Sequence, residues 1–371
     1  MPHFLGQADH THGSPAAAGV LVVNLGTPEA PTPKAVRHYL NEFLSDPRIV
    51  ELPRWLWWLV LHGVILRIRP AQSAALYQKI WTPEGSPLAT GMAAVTQALQ
   101  KSLTSQRPGP IVVRHAMRYG GPSIPDALRE LAAAGARRIL VLPLFPQYSG
   151  TTTASVLDEV GAELARWRWV PDLRFVADYH ADPHYIEALA RSVSAHWQRQ
   201  GRADRLVLSF HGIPQRYFRA GDPYFCQCQA TARRLRERLD LREEEMIVCF
   251  QSRVGRQKWL EPYTEAVLAA LPGQGARSVQ VLCPGFSIDC LETLEEIAIT
   301  NRERFLRAGG ERFEYIPALN AAEDHVGALT HLILRNGQGW PEFDAAWDGA
   351  RASAQQASAR ARYERLRDGA R

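Results

Sequence analysis

Cysteine is scarce in this chain: Cys226, Cys228, Cys249, Cys283 and Cys290 are all there is in 371 residues. That count argues against a disulfide framework. No C-x-x-C pair exists, which argues against a structural zinc. Cys226 and Cys228 stand one residue apart and leave a soft metal open; Cys249 and Cys283 fall inside apolar runs and read as core. There is no GxGxxG or Walker pattern, so no nucleotide is expected. No block of Lys/Arg is interleaved with aromatics, and nucleic acid is a poor partner. The first residues lack the basic start and apolar stretch of a signal peptide, so a reducing, cytoplasmic setting is expected. His10 and His12 lie in this stretch and read as part of a frayed tail rather than a metal site.

A 46% hydrophobic share leaves ample chain for two cores. The net charge of +5, mostly from scattered arginines, suits an anionic small molecule or an acidic membrane surface. Short apolar runs alternate with helical periodicity nearly from end to end. Strands are expected at 20–25, 111–117, 138–145 and 173–179, and again at 205–210, 247–251, 278–283 and 312–318. Continuous apolar strands separated by helices mean parallel sheets with helices on both faces. Helices are expected over 34–44 and 90–103 from their apolar spacing, and Pro122 and Pro183 sit where helices begin.

The two sets of strands look like a duplication. VVNLG opens the first as LSFHG opens the second; MRYGG is answered by SRVGR, and LPLFPQYSG by LCPGFSIDC. The fold class expected is α/β, with two similar Rossmann-like doubly wound domains, each on a four-stranded parallel sheet, and a cleft between them. The domains are placed at 19–165 and 166–319, after a flexible tail over 1–18. A helix over 320–337 returns to the first domain, and 341–371 forms a loosely packed tail. Residues 53–70, PRWLWWLVLHGVILRIRP, break the pattern. The run is shorter than the roughly 20 residues of a spanning helix. It reads either as a core helix or as an exposed apolar lip that meets a membrane or covers a greasy ligand.

His211 and Glu292 are 81 residues apart, yet each follows an apolar strand. Ligands gather at the carboxyl ends of strands in such sheets. A histidine and a glutamate meeting there can bind a divalent metal, move protons, or do both. Asp289, Glu295 and Glu296 crowd the same helix start, where acids also serve the helix dipole. In the first half, Arg118, Tyr119, Tyr148, Ser149 and Thr151–Thr153 follow strands; they suit the carboxylates of a flat anion, or simply cap helices.

The motifs VNLGTPEAP, EGSPL, MRYGGPSI, PLFPQYSGTTTASV, SFHGIP, GDPY, FQSRVGRQKWLEPYT and CPGFSIDCLETLEEI occur in this order. Over residues 19–337 the chain resembles the ferrochelatases, most closely the proteobacterial branch. The resemblance implies insertion of Fe²⁺ into protoporphyrin IX with release of two protons, the last step of haem synthesis. It makes His211 and Glu292 the metal-handling pair and Asp289 a catalytic partner. It makes Arg118, Tyr119, Tyr77, Ser86 and Tyr148 substrate-binding positions, and 53–70 a lip near the porphyrin entrance that touches a membrane peripherally. Some family members have histidine where this chain has Cys290. With no cysteine after Cys290, and Gly150 in the stretch that holds another ligand, no [2Fe–2S] cluster of the animal kind is expected. A chelatase for another tetrapyrrole and a non-catalytic porphyrin carrier remain alternatives.

Overall fold

Eight strands form two separate sheets in the computed structural model, which describes residues 4–6, 13–255 and 257–369. The first half runs β1 (Ala17–Gly26), α1 (Pro33–Ser45), α2 (Arg54–Val60), a π-helical turn (Leu61–Ile65), α3 (Leu66–Ile80) and α4 (Pro87–Gln106). It continues through β2 (Ile111–Tyr119), α5 (Ile124–Ala133), β3 (Ala136–Pro143), α6 (Thr153–Leu164) and β4 (Asp172–Phe175). The second half runs α7 (Pro183–Gln200), β5 (Arg205–His211), α8 (Gln215–Arg219), α9 (Tyr224–Arg238), β6 (Met246–Gln251) and α10 (Thr264–Ala270). It ends with β7 (Ser278–Leu282), a π-helix (Glu292–Asn301), α11 (Arg302–Arg307), β8 (Arg312–Ile316), α12 (Glu323–Asn336) and α13 (Gly349–Gly369).

The sheets have orders β2-β1-β3-β4 and β6-β5-β7-β8, all parallel. The duplication seen in the motifs is therefore a duplication of topology: β5 occupies in one sheet the place of β1 in the other. Side chains alternate across each strand as a period of two requires. Val20 and Val22 face one core and Leu21 and Val23 another. The first of these cores also contains Leu208, Phe210 and Leu282, so one apolar interior is shared by both halves. Burying each such residue contributes about 1.5–3 kcal/mol, and that shared interior holds the two sheet edges in a fixed relation.

Several boundaries differ from expectation. β4 pairs with β3, so the first sheet extends to Phe175 and a division at 165 would cut it. The segment expected as a tail over 1–18 contains the start of β1, and Leu5 pairs with the backbone of Arg166 and Arg168; His10 and His12 lie outside the described residues. The helix over 320–337 is α12, and it packs against both α4 and α7, with Thr330 Oγ1 bonding Ser102 Oγ at 3.0 Å. The tail expected from 341 starts with a docked segment: Trp340, Glu342 and Phe343 are buried, and Glu342 meets Arg138 at 2.8 Å. A buried carboxylate needs such a partner. α13 follows as a largely exposed helix.

Residues 53–70 resolve toward the exposed alternative. Trp57 alone of the three tryptophans turns inward, donating from Nε1 to the Leu44 carbonyl at 2.6 Å. Trp55 is 71% exposed and Trp58 58%, alongside Leu56, Leu59, Val64 and Ile68. Arg54, Arg67 and Arg69 are exposed on the same segment. Among the described residues no helix is long and apolar enough to cross a membrane.

Candidate active site

His211 is the last residue of β5, half-buried at the carboxyl edge of its sheet. Its Nδ1 lies 2.6 Å from the carbonyl oxygen of Gly212. A carbonyl only accepts, so Nδ1 carries a proton, and in the neutral ring Nε2 keeps its lone pair. The ring stands between Trp259 and Phe286, each 6.5 Å away by centroid, which limits its rotation.

The π-helix starts at Glu292, beside the end of β6. Gln251 Nε2 donates to the Glu292 carbonyl at 2.8 Å, while Gln251 Oε1 accepts from Ser209 Oγ at 2.6 Å. One buried amide thus ties β5, β6 and the π-helix together. The first site residue that sequence periodicity misses is Glu296. Its carboxylate accepts from the Ser252 amide at 2.8 Å and from the Ser252 hydroxyl. Ser252 sits at φ 64°, a left-handed conformation unusual for a residue with a Cβ; strain of this kind gathers at functional sites. Burial pushes the Glu296 carboxyl above its usual range. The Ser252 hydrogen bonds and the nearby His211 pull it back, and the neighbouring Glu292 charge raises it. His211, Glu292 and Glu296 therefore form one electrostatic group.

The first half supplies hydroxyls opposite them. Tyr77 on α3 and Tyr39 on α1 are buried phenols pushed well up, by desolvation first and by the Glu292 charge as well. Nearby, Thr27 Oγ1 donates to Ser86 Oγ at 2.8 Å. The Cys290 thiol is buried against Glu292, which helps push it up after desolvation. Tyr77 of the first half thus packs against the segment that carries Glu292 in the second, with Ser86 bonded to Thr27 in the first half and His211 at the end of the neighbouring β5.

Others are placed differently. Asp289 is buried behind the π-helix. Its Oδ1 accepts from Tyr315 OH (2.7 Å), Thr293 Oγ1 (2.9 Å) and the Ala318 amide (3.4 Å), and its Oδ2 from Asn320 Nδ2 (2.8 Å). Four donors thus converge on this one carboxylate. Arg118 and Tyr119 both turn to Asp46, at 2.7 and 2.8 Å, and Arg118 Nε also reaches Ser155 Oγ at 2.7 Å. Their polar atoms are taken up inside the first half. Tyr148 is held by Gln227, which accepts from its amide at 2.6 Å, and lies near Arg48. Asp46 and Glu296 are the residues missed; the spacing of Glu292 and Glu296, four apart, was the available signal for the second. Among the described residues no three His, Cys, Asp or Glu side chains group to hold a metal.

A family model described as Ferrochelatase matches residues 17–337. A protein named Ferrochelatase from Thioalkalivibrio sulfidiphilus is 57% identical over 356 residues, covering 96% of each chain. Another so named, from Nitrosococcus oceani, is 54% identical and covers 99% of each. Among solved structures, the sirohydrochlorin chelatase SirB from Bacillus subtilis subspecies spizizenii, in complex with cobalt, superposes with a TM-score of 0.52 at 13% identity. It covers 89% of this chain and 99% of its own. At that identity the likeness speaks for the two-sheet fold alone.

Proposed function

The chain belongs to the ferrochelatase family, and from that premise we propose that His211, Glu292 and Glu296 carry out metal insertion and proton removal at the cleft. The activity is that of a lyase, a metal chelatase that inserts Fe²⁺ into a porphyrin at the terminal step of haem biosynthesis. The ring we assign is protoporphyrin IX.

A planar porphyrin turns its pyrrole N–H groups inward and hides its nitrogen lone pairs from an approaching ion. Bending the ring exposes them, at a strain of about 1–5 kcal/mol drawn from binding elsewhere on the macrocycle. Two protons then leave as Fe²⁺ enters. The Nε2 lone pair of His211 suits either job, ligand to a borderline ion or acceptor of a pyrrole proton. Glu292 adds an oxygen donor. Glu296, with its raised carboxyl pKa, takes up a proton more readily than an ordinary carboxylate. The Ser252 amide and hydroxyl, both donating to Glu296, hold that carboxylate in place. A site with so few donors holds iron loosely, which a site that must hand it over requires.

What supports this reading is geometric: His211 ends β5, the neighbouring end of β6 holds Glu292 through Gln251 and Glu296 through Ser252, and the helix carrying Tyr77 packs against that same π-helix. We assign Asp289 and Arg118 structural support rather than contact with substrate. The exposed lip of α2 and the start of α3 we assign to peripheral contact with the cytoplasmic face of a membrane, since Trp with flanking Arg suits an interface.

The test is iron insertion into protoporphyrin IX by wild type and His211→Ala. Loss of about 10² or more in kcat is expected. A variant at the wild-type rate refutes the mechanism, and a wild type that binds the ring without metalating it makes the protein a carrier.

A further inference from the structure

The wall that carries Tyr77 and the wall that carries Glu292 come from opposite halves of the chain, and they meet along one seam. Val36, Ala74, Tyr77 and Ile80 on the α1 and α3 side pack against Leu291, Leu294 and Ile299 around the π-helix. Such a seam is adhesive but non-directional. Among the described residues one ion pair crosses it: Lys79 Nζ lies 2.8 Å from Glu295 Oε1, across 216 residues of sequence. Glu295 keeps only 6% of its side chain exposed, whereas Lys79 keeps 46%. Thr300 Oγ1 donates to the same Glu295 oxygen at 3.0 Å, from the next turn of the π-helix.

The placement matters more than the strength. Lys79 stands two residues after Tyr77, and Glu295 three residues after Glu292. The pair thus joins the helix that carries Tyr77 to the helix that carries Glu292. A half-exposed ion pair adds little to stability, but a buried carboxylate with a single cationic partner fixes register in an otherwise slippery contact. We propose that Lys79 and Glu295 are positioning residues for metal insertion, a pin between the lip-bearing helix α3 and the π-helix that holds the two cleft walls at working separation. The proposal rests on the iron-insertion reading above.

The test uses the full chain with K79M, K79R, E295Q and the double variant K79M/E295Q. Methionine keeps the packing stem of Lys79 and removes its charge. Steady-state iron insertion into protoporphyrin IX is measured at a temperature well below each variant's melting point, with circular dichroism to verify folding. K79M and E295Q are each expected to lower kcat about tenfold, since small misplacements at a reacting centre carry such penalties. KM for the porphyrin should stay within twofold, and K79R should keep kcat within twofold of wild type. The double variant should be no worse than either single one, as two residues acting only through each other require. Wild-type kcat in K79M and E295Q, with only the melting point lowered, overturns the proposal. So does a double variant that falls about a hundredfold. A wild type that inserts no iron sinks the functional reading itself, whereas an active wild type with unaffected variants sinks the pin alone.

Discussion

Replacing Arg118 with methionine separates two roles that sequence motifs cannot distinguish. If its guanidinium clamps a porphyrin carboxylate, the loss appears in KM; if it serves Asp46, the loss appears in stability. The geometry favours the second. Asp46 keeps 3% of its side chain exposed and Arg118 15%, at a separation of 2.7 Å. Burial alone would raise the Asp46 carboxyl, but hydrogen bonds from Ser155, the Arg48 amide and Tyr119, with the Arg118 charge, bring it below its usual range. Removing one partner of a buried pair costs about 3–5 kcal/mol. Three neutral donors remain to Asp46 after the change, which puts Arg118→Met near the lower limit, about 3 kcal/mol. At about 1.3 °C per kcal/mol for a chain of this size, the melting point should fall about 4 °C. The stabilising effect of the depressed Asp46 is present above the ordinary Asp pKa, near 3.9, and disappears as pH falls through the lower folded value. The variant's deficit should therefore persist at neutral pH and shrink in acid. Thermal melts across pH and porphyrin titrations of the activity would read both effects. An unchanged melting point with KM raised tenfold would show that Arg118 is a substrate ligand after all.

Glu296→Gln should lower kcat about 10² with little change in porphyrin KM; wild-type turnover would remove Glu296 from the proton path. His325 is fully buried with Nε2 unpartnered, and burial lowers its pKa to about 4. The unfolded chain protonates first, so wild-type stability should decline as pH falls from about 6.5 to about 4. His325→Gln should lose up to about 3 kcal/mol less over that window in urea titrations, and parallel pH profiles would contradict this. For the lip, Trp55→Ser with Trp58→Ser should weaken co-sedimentation with anionic liposomes while leaving insertion into detergent-dispersed porphyrin intact; undiminished binding would place membrane contact elsewhere.

The eight strands were legible because parallel, doubly covered strands must be continuously apolar, and the likeness of the two halves was legible in the repetition of LSFHG after VVNLG. His211 was legible for the same reason: a strand end followed by glycine and proline exposes whatever precedes the turn. The surroundings of Asp289 and Arg118 were not legible, because motif strings mark which residues matter without saying what they touch. Asp289 faces Tyr315 and Asn320, which arrive from β8 and the loop beyond it, and Arg118 faces Asp46, far off in sequence. Glu296 was overlooked for a more specific reason. A helix read at 3.6 residues per turn spreads Glu292, Glu295 and Glu296 over one broad face. The observed segment is π-helical, with i→i+5 bonding and a wider turn. That winding sends Glu295 across the seam to Lys79 and leaves Glu296 bonded to Ser252 at the end of β6. Three acids that look interchangeable in sequence thereby receive two different tasks. Nothing in local propensity announces the π-helix; it is held from outside, by Gln251 on the Glu292 carbonyl and by Ser252 on Glu296. The winding of this segment is thus a tertiary property, and the chemistry of the cleft depends on it.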